Sequence, residues 1–193
     1  MELKVKILQY CLITLLAFSC SYYSFKGSLP SHINNINVSP IVNNSTEYLA
    51  MDILESEVYN TLLKENILKL VELDSANSKL DIIINSVTDK PYTYSSNSQV
   101  VYEIVDEWRI TIKAKISWYD LSENRMIFSK EISSFGIYST IRNDISNDGL
   151  DNDSDGLIDS DDDDEYGPPR DSAIKIAAKK LSENIIANIN STW

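Results

Sequence analysis

The sequence predicts an α+β fold, a two-layer sandwich in which two helices pack on one mostly antiparallel sheet. Three observations support this prediction: residues 108–119 alternate between apolar and polar side chains, two segments repeat apolar residues at helical spacing, and shorter segments between them are extended in character. With 193 residues, 43% of them hydrophobic, the chain suits one domain with one core. The predicted order is strand, helix, four strands, helix.

The first two elements are a short strand and a helix. Residues 35–38 alternate and are followed by Pro40, which is typical of a strand that ends at a sheet edge. From Thr46 to about Glu65 the pattern is helical, and Ser45 or Thr46 is the candidate N-terminal cap. Its predicted buried stripe consists of Ala50, Leu54, Val58 and Leu62.

Four strands are predicted in the middle of the chain. Two come from apolar runs at 68–73 and 80–87, and the third is the alternating segment 108–119. After a polar turn, residues 126–138 are extended again, so they form an antiparallel hairpin with the third strand, in which Gly136 could mark a bulge. The predicted buried face of the third strand is Trp108, Ile110, Ile112, Ala114, Ile116 and Trp118.

The last element is a helix that follows Pro168 and Pro169. Asp171 or Ser172 can cap it, and apolar residues then recur at three- and four-residue steps almost to Trp193. These apolar residues are Ile174, Ala177, Ala178, Leu181, Ile185 and Ile189. They predict one buried face that packs on the sheet.

The N-terminus has the organisation of an export signal. Lys4 and Lys6 precede an apolar run at 7–18, and Ser19 and Cys20 follow it. The run is shorter than the roughly 20 apolar residues that cross a bilayer. Residues 1–19 are therefore predicted to be a signal peptide.

Residues 16–20, Leu-Ala-Phe-Ser-Cys, resemble a bacterial lipobox, in which the Cys is acylated and becomes the mature N-terminus. Cys11 lies within the signal, so Cys20 is the only Cys of the mature chain and no intramolecular disulfide is expected. Acyl chains such as palmitate on Cys20 would anchor the protein to the membrane. Residues 20–34 then form a lipidated leader and 35–193 the folded body. The alternative is an ordinary secretory signal.

The acidity of the chain is local. The formal net charge is −12, and the stretch from Asp144 to Glu165 holds eleven acidic and no basic residues within a predicted insertion at 143–167. The rest of the mature chain is close to neutral and has no stripe of Lys and Arg, so nucleic acid is not an expected partner.

Residues 151–162 of the insertion have the spacing of a calcium-binding loop. The candidate ligands are Asp151, Asp153, Asp155, the carbonyl of Leu157, Asp159 and Asp162. Gly156 stands at the sharp turn, and the loop resembles those of EF-hands, dockerins and thrombospondin type 3 repeats, with Asp162 in place of the usual Glu of an EF-hand. The alternative is a solvated acidic insertion without an ion.

No pattern predicts an enzyme. His32 is the only histidine and lies in the leader, and the one mature Cys is the predicted lipid site, which leaves no combination for nucleophilic catalysis. The sequence has no Gly-rich phosphate loop, no paired-Cys zinc spacing and no His-Glu-x-x-His. Carboxylates crowded into one loop are neither buried nor separated as glycosidase chemistry requires.

Several stretches match one lipoprotein family in their order along the chain. They are the leader 20–27 (Cys-Ser-Tyr-Tyr-Ser-Phe-Lys-Gly), Ile36-Asn37-Val38, Asp89-Lys90-Pro91-Tyr92, Trp118-Tyr119-Asp120 and the C-terminal helix that ends in Trp193. In these features the mature chain, apart from the acidic insertion, resembles the lipopolysaccharide-assembly lipoproteins of the LptE family, in the form found in Bacteroidota-like bacteria.

The resemblance implies an outer-membrane lipoprotein that faces the periplasm, plugs an LptD-type β-barrel, assists its assembly and contacts lipopolysaccharide, without catalysis. Lys113 and Lys115 are then candidates for contacts with lipid A phosphates or sugars, although a solvated strand face also accounts for them. Two other functions stay open, a periplasmic lipoprotein of another envelope complex and a calcium-dependent surface binding module.

Overall fold

The computed structural model describes residues 30–95, 103–139, 156–158 and 168–191. Its elements are β1 (Asn35–Val38), β2 (Val42–Asn43), α1 (Tyr48–Glu65), β3 (Lys69–Leu70), a 3-10 turn (Leu73–Ser75), β4 (Ser78–Ser95), β5 (Ile104–Asp120), β6 (Arg125–Ser139) and α2 (Pro169–Asn190). The predicted α+β fold, with two helices packed on one sheet, is confirmed. Neither helix in these ranges has the length and apolar character needed to cross a membrane.

The sheet has six strands in the order β3-β1-β4-β5-β6, with β2 beside β4. The three long strands β4, β5 and β6 form an antiparallel meander, whereas the short strands β1, β2 and β3 pair in parallel. The sheet is therefore mixed, and its antiparallel part contains most of the paired residues. Helix α2 packs against β5 and β6, and α1 packs against α2 and touches β3.

Strand β4 is longer than the apolar run at 80–87 predicted. It pairs with β5 through Ser95, and its register shifts at Ile84/Ser86 and again on either side of Thr93. Pro91 lies opposite Trp108, beyond the part of β4 that pairs with β1 and β2. At Pro91, β5 is the only described strand that pairs with β4. On the opposite side of β4 there is no strand to which an N–H could donate, so a proline is tolerated there and the strand can continue past it.

The core lies between the sheet and the helices and follows the predicted periodicities. The predicted stripe of α1 is buried, and so are five of the six residues predicted for the inner face of β5, namely Ile110, Ile112, Ala114, Ile116 and Trp118. Trp108, the sixth, is partly buried and packs against the same core. Helix α2 buries all six of its predicted apolar residues.

The predicted helix caps are wrong in both helices. Helix α1 begins at Tyr48 after Glu47, and no side chain caps it. The Ser45 hydroxyl instead donates to Asn43 Oδ1 at 2.7 Å and accepts from the Glu47 backbone N–H, so it orders the chain before the helix. Helix α2 starts at Pro169, whose fixed φ suits the first helical position.

Gly136 does not mark a bulge. The pairing of β5 with β6 runs through it without interruption, with Gly136 opposite Ile110. A Cβ added to Gly136 would overlap the carbonyl oxygen of Ala173 in α2. At this glycine the backbones of helix α2 and strand β6 lie too close together for a side chain to fit, which strand periodicity alone cannot predict.

Candidate functional site

The face of the sheet that points away from the helices carries an arginine held between two aromatic rings. The guanidinium carbon of Arg109 lies 4.3 Å from the ring centroid of Phe135 and 5.4 Å from that of Tyr92. The rings belong to β6 and β4, on either side of β5, and they are 42% and 45% exposed. Such contacts stabilise a cation over an aromatic face and fix its position. We call these three residues the Arg109 stack.

Lys113 and Lys115 extend this face along β5, and both are exposed, as the alternating pattern predicted. Lys113 lies between Ser86 and Ser133 in the sheet register, without an acidic neighbour in either position. Lys115 lies opposite Glu131, which partly offsets its charge. Cations beside exposed rings can bind phosphate or carboxylate groups and pack against sugar rings.

A second polar cluster lies at the end of β5, where Asp120 is completely buried. Asp120 Oδ2 lies 2.7 Å from His32 Nε2, and Asp120 Oδ1 accepts the backbone N–H groups of Ser122 and Glu123, each at 3.0 Å. Burial alone would raise the pKa of Asp120, but the hydrogen bond with His32 and those from the backbone lower it below its ordinary value. Asp120 therefore organises the turn between β5 and β6 as a carboxylate.

Glu123 and Arg125 complete this cluster. Glu123 Oε1 lies 3.9 Å from His32 Nε2, and Glu123 Oε2 lies 2.7 Å from Arg125 Nε. The sequence did not predict the cluster, because His32 and Asp120 are 88 residues apart and His32 falls in the predicted leader. The only local signal was the aspartate at the start of a polar turn.

A third cluster joins both helix N-termini to the sheet through Arg170. Arg170 Nη2 lies 2.6 Å from Glu47 Oε2, and Arg170 Nε lies 3.1 Å from Asp89 Oδ2. The Tyr138 hydroxyl donates to the same Asp89 oxygen at 2.7 Å. Burial, together with this hydrogen bond and the charge of Asp89, raises the pKa of Tyr138 to about 12. The cluster fixes the start of α2 directly after the acidic insertion.

We expect Arg170→Met to destabilise the fold by about 1–2 kcal/mol, because Asp89 and Glu47 lose their shared cation in a partly exposed site. The denaturation midpoint in urea measures this loss. Lys90→Met is the matched control, since Lys90 is exposed beside Asp89 and should leave the midpoint unchanged. Equal midpoints for the two variants would show that Arg170 contributes no net stability.

Most of the predicted site residues lie outside the described residues. Cys20 does, and so do Asp151, Asp153, Asp155, Asp159 and Asp162 of the calcium-type loop. Leu157 is described and 47% exposed, and Gly156 has a φ of +98°. That backbone conformation agrees with a sharp turn at the predicted glycine position. Lipidation and calcium binding stay predictions.

Comparison with known proteins relates the chain to others by fold only. No family model matches it, and no well-described protein has a similar sequence. The structure of hypothetical protein CT253 from Chlamydia trachomatis is similar, with a TM-score of 0.51 and 12% identity, over 82% of this chain and 96% of that protein.

Two further structures are less similar. Protein XCC0632 from Xanthomonas campestris, of the DUF330 family, has a TM-score of 0.48 and 11% identity, over 85% of this chain and 90% of that one. A minor lipoprotein from Acinetobacter baumannii has a TM-score of 0.47 and 10% identity, over 82% and 94% of the two chains.

Proposed function

We propose that this chain is a lipid-anchored, non-catalytic subunit of an envelope complex and that it contacts its partner through the outer face of its sheet. The anchor would be Cys20, at the end of an export signal. The observation that supports the contact surface is the Arg109 stack with Lys113 beside it on the same strand. Rings that are nearly half exposed and flank a cation suit a binding surface better than a solvated strand face.

More specifically, we propose that the chain is an LptE-like subunit in the outer membrane and that it faces the periplasm. Its partners are an LptD-type β-barrel and lipopolysaccharide. The resemblance of the leader and of the stretch 89–92 supports this identity. Arg109 and Lys113 would meet phosphate groups, and Tyr92 and Phe135 would pack against sugar rings. The chain would act by filling space and orienting its partners, without a chemical step.

A pull-down of the full-length protein in mild detergent, followed by identification of the partner, tests this proposal. We expect an LptD-type barrel to co-purify with the wild-type protein. The double variant Arg109→Glu, Lys113→Glu should lose most of this partner, because it reverses two charges on the outer face. Lys64→Glu, Lys180→Glu makes the same charge change on the exposed sides of the helices and should retain it.

Two outcomes contradict parts of the proposal. Recovery of a different envelope complex would reject the LptE-like identity and favour the generic lipoprotein. Recovery of the barrel in equal amounts by both double variants would reject the outer face as the contact surface.

Cys20→Ala should release the protein from the membrane, because it removes the only acylated residue of the proposed anchor. The fraction of protein that sediments with membranes, together with the mass of the N-terminal peptide, measures this. Cys11→Ala, within the predicted signal, is the control and should leave both unchanged. An unmodified Cys20 in the membrane-bound wild-type protein would reject the anchor.

The proposal includes a calcium ion in the loop at 151–162. Removal of calcium should expose this loop to proteases and leave the sandwich intact, because unneutralised carboxylates repel one another. Limited proteolysis with and without chelator measures the difference. Asp151→Asn, Asp155→Asn should be cleaved in the loop under both conditions. A cleavage pattern that does not respond to the chelator would identify a solvated acidic insertion.

A further inference from the structure

We propose that His32, Asp120 and Glu123 form a binding site for a divalent transition-metal ion of the zinc class. One imidazole nitrogen and two carboxylate oxygens lie within 4.8 Å of one another at the end of β5. The site shares no residue with the calcium-type loop and does not depend on the proposed partner of the outer face. It rests on contacts among described residues only.

The two carboxylates are arranged as metal ligands usually are. In each carboxylate, one oxygen lies against a hydrogen-bond donor of the protein and the other oxygen faces His32. Asp120 Oδ1 accepts two backbone N–H groups while Oδ2 faces the imidazole. Glu123 Oε2 lies beside the Arg125 guanidinium while Oε1 faces the imidazole. Hydrogen bonds to the distal oxygen orient a ligating carboxylate and are a general feature of metal sites.

The distances allow an ion to enter with small movements. Zn²⁺ binds nitrogen and oxygen ligands at about 2.0–2.2 Å, so ligand atoms in a tetrahedral site are about 3.3 Å apart. His32 Nε2 lies 2.7 Å from Asp120 Oδ2 and 3.9 Å from Glu123 Oε1, one shorter and one longer than that value. Asp120 is rigidly held, whereas His32 and Glu123 are 35% and 53% exposed and can adjust.

The ligand set indicates which ion the site prefers. Calcium takes six to eight oxygen ligands, whereas imidazole with carboxylates suits zinc and neighbouring transition metals. Arg125 Nε lies 3.8 Å from Asp120 Oδ2 and opposes a cation, although the two carboxylates outweigh its charge. Three protein ligands leave a fourth position for water or for a group of a partner molecule.

A bound ion would connect the end of the leader, at His32, to the turn between β5 and β6. His32 lies twelve residues after Cys20, so the ion would set where a membrane tether leaves the folded body. This consequence rests on the proposed lipidation of Cys20, but the metal site itself does not.

Isothermal titration of the mature, chelator-treated protein with Zn²⁺, in millimolar Ca²⁺ to occupy the acidic loop, tests the site. We expect one zinc ion per chain and a loss of affinity of more than about tenfold in His32→Ala and in Glu123→Gln. Glu131→Gln, an exposed carboxylate elsewhere in the sheet, should bind zinc like the wild type. Glu123 is exposed in a turn, so its variant is expected to fold.

The absorption spectrum of the Co²⁺-loaded protein provides the second measurement. Coordination by His32 should give visible bands that disappear in His32→Ala, whereas adventitious binding to surface carboxylates would leave the spectrum unaffected by that change. Absence of zinc binding by the wild type, or wild-type zinc affinity in both His32→Ala and Glu123→Gln, would overturn the proposal.

Discussion

Ile112→Asp is expected to abolish cooperative folding. Ile112 is completely buried at the centre of β5, where it lies opposite Val87 in β4 and Ser134 in β6. The variant loses about 1.5–3 kcal/mol of apolar burial, and in addition it places a carboxyl group in the core, where the residues opposite it, Val87 and Ser134, supply no positive charge. The sum approaches the roughly 5–15 kcal/mol by which whole domains are stable, so the unfolded state should dominate.

Circular dichroism and thermal denaturation measure this loss. Lys113→Asp is the matched control, because the next residue of the same strand points to solvent and its replacement should shift the melting temperature by only a few degrees at most. A cooperative transition of Ile112→Asp close to that of the wild type would show that the inner face of β5 is wrongly assigned.

Elements that could be predicted from the sequence are those whose pattern is local. The alternation along β5 and the four-residue steps in α1 identify their buried faces. Apolar residues recur every 2 positions in a strand and every 3.6 in a helix, and these two periods can be distinguished within a short segment. The exposure of Lys113 and Lys115 followed from the same alternation. A strand of two residues, such as β2, is too short to leave such a trace.

Features that depend on contacts between distant segments could not be predicted. The Arg109 stack requires the register of three strands, and the register of β4 shifts beside Tyr92. His32 pairs with Asp120 across 88 residues, and Arg170 joins Glu47 across 123. Charged and polar residues at such separations look like ordinary surface residues in the sequence, so all three clusters were found only in the fold.

The predictions of the helix caps were wrong for a related reason. Ser45 is of a residue type that caps helices, but it lies two residues before the cap position, which Glu47 occupies, and Asn43 accepts its hydroxyl hydrogen bond. Asn43 also donates its side-chain amide to the Glu47 carbonyl. The Ser45 hydroxyl oxygen accepts the backbone N–H of Glu47, which still precedes the helix, so Ser45 and Asn43 together order the turn before α1 rather than its first helical residues.

Gly136→Val is expected to cost about 3 kcal/mol or more, because the added atoms would overlap the backbone of helix α2 at Ala173. The Cβ would overlap the Ala173 carbonyl oxygen, and its next neighbours are also backbone atoms of Ala173. Overpacking usually costs about 1–3 kcal/mol when flexible side chains can move aside, and here helix α2 itself must shift. For a domain of this size, that loss lowers the melting temperature by about 6–12 °C.

Differential scanning calorimetry checks this value. Ser133→Val is the control, since it adds a side chain of the same kind to the same strand on its exposed face and should change the stability by less than about 0.5 kcal/mol. A β-branched residue suits an extended strand, so backbone conformation alone does not penalise either variant. If Gly136→Val has the same melting temperature as Ser133→Val, then α2 does not lie as close to β6 as the structure shows. The packing of the C-terminal helix on the sheet would then have to be revised.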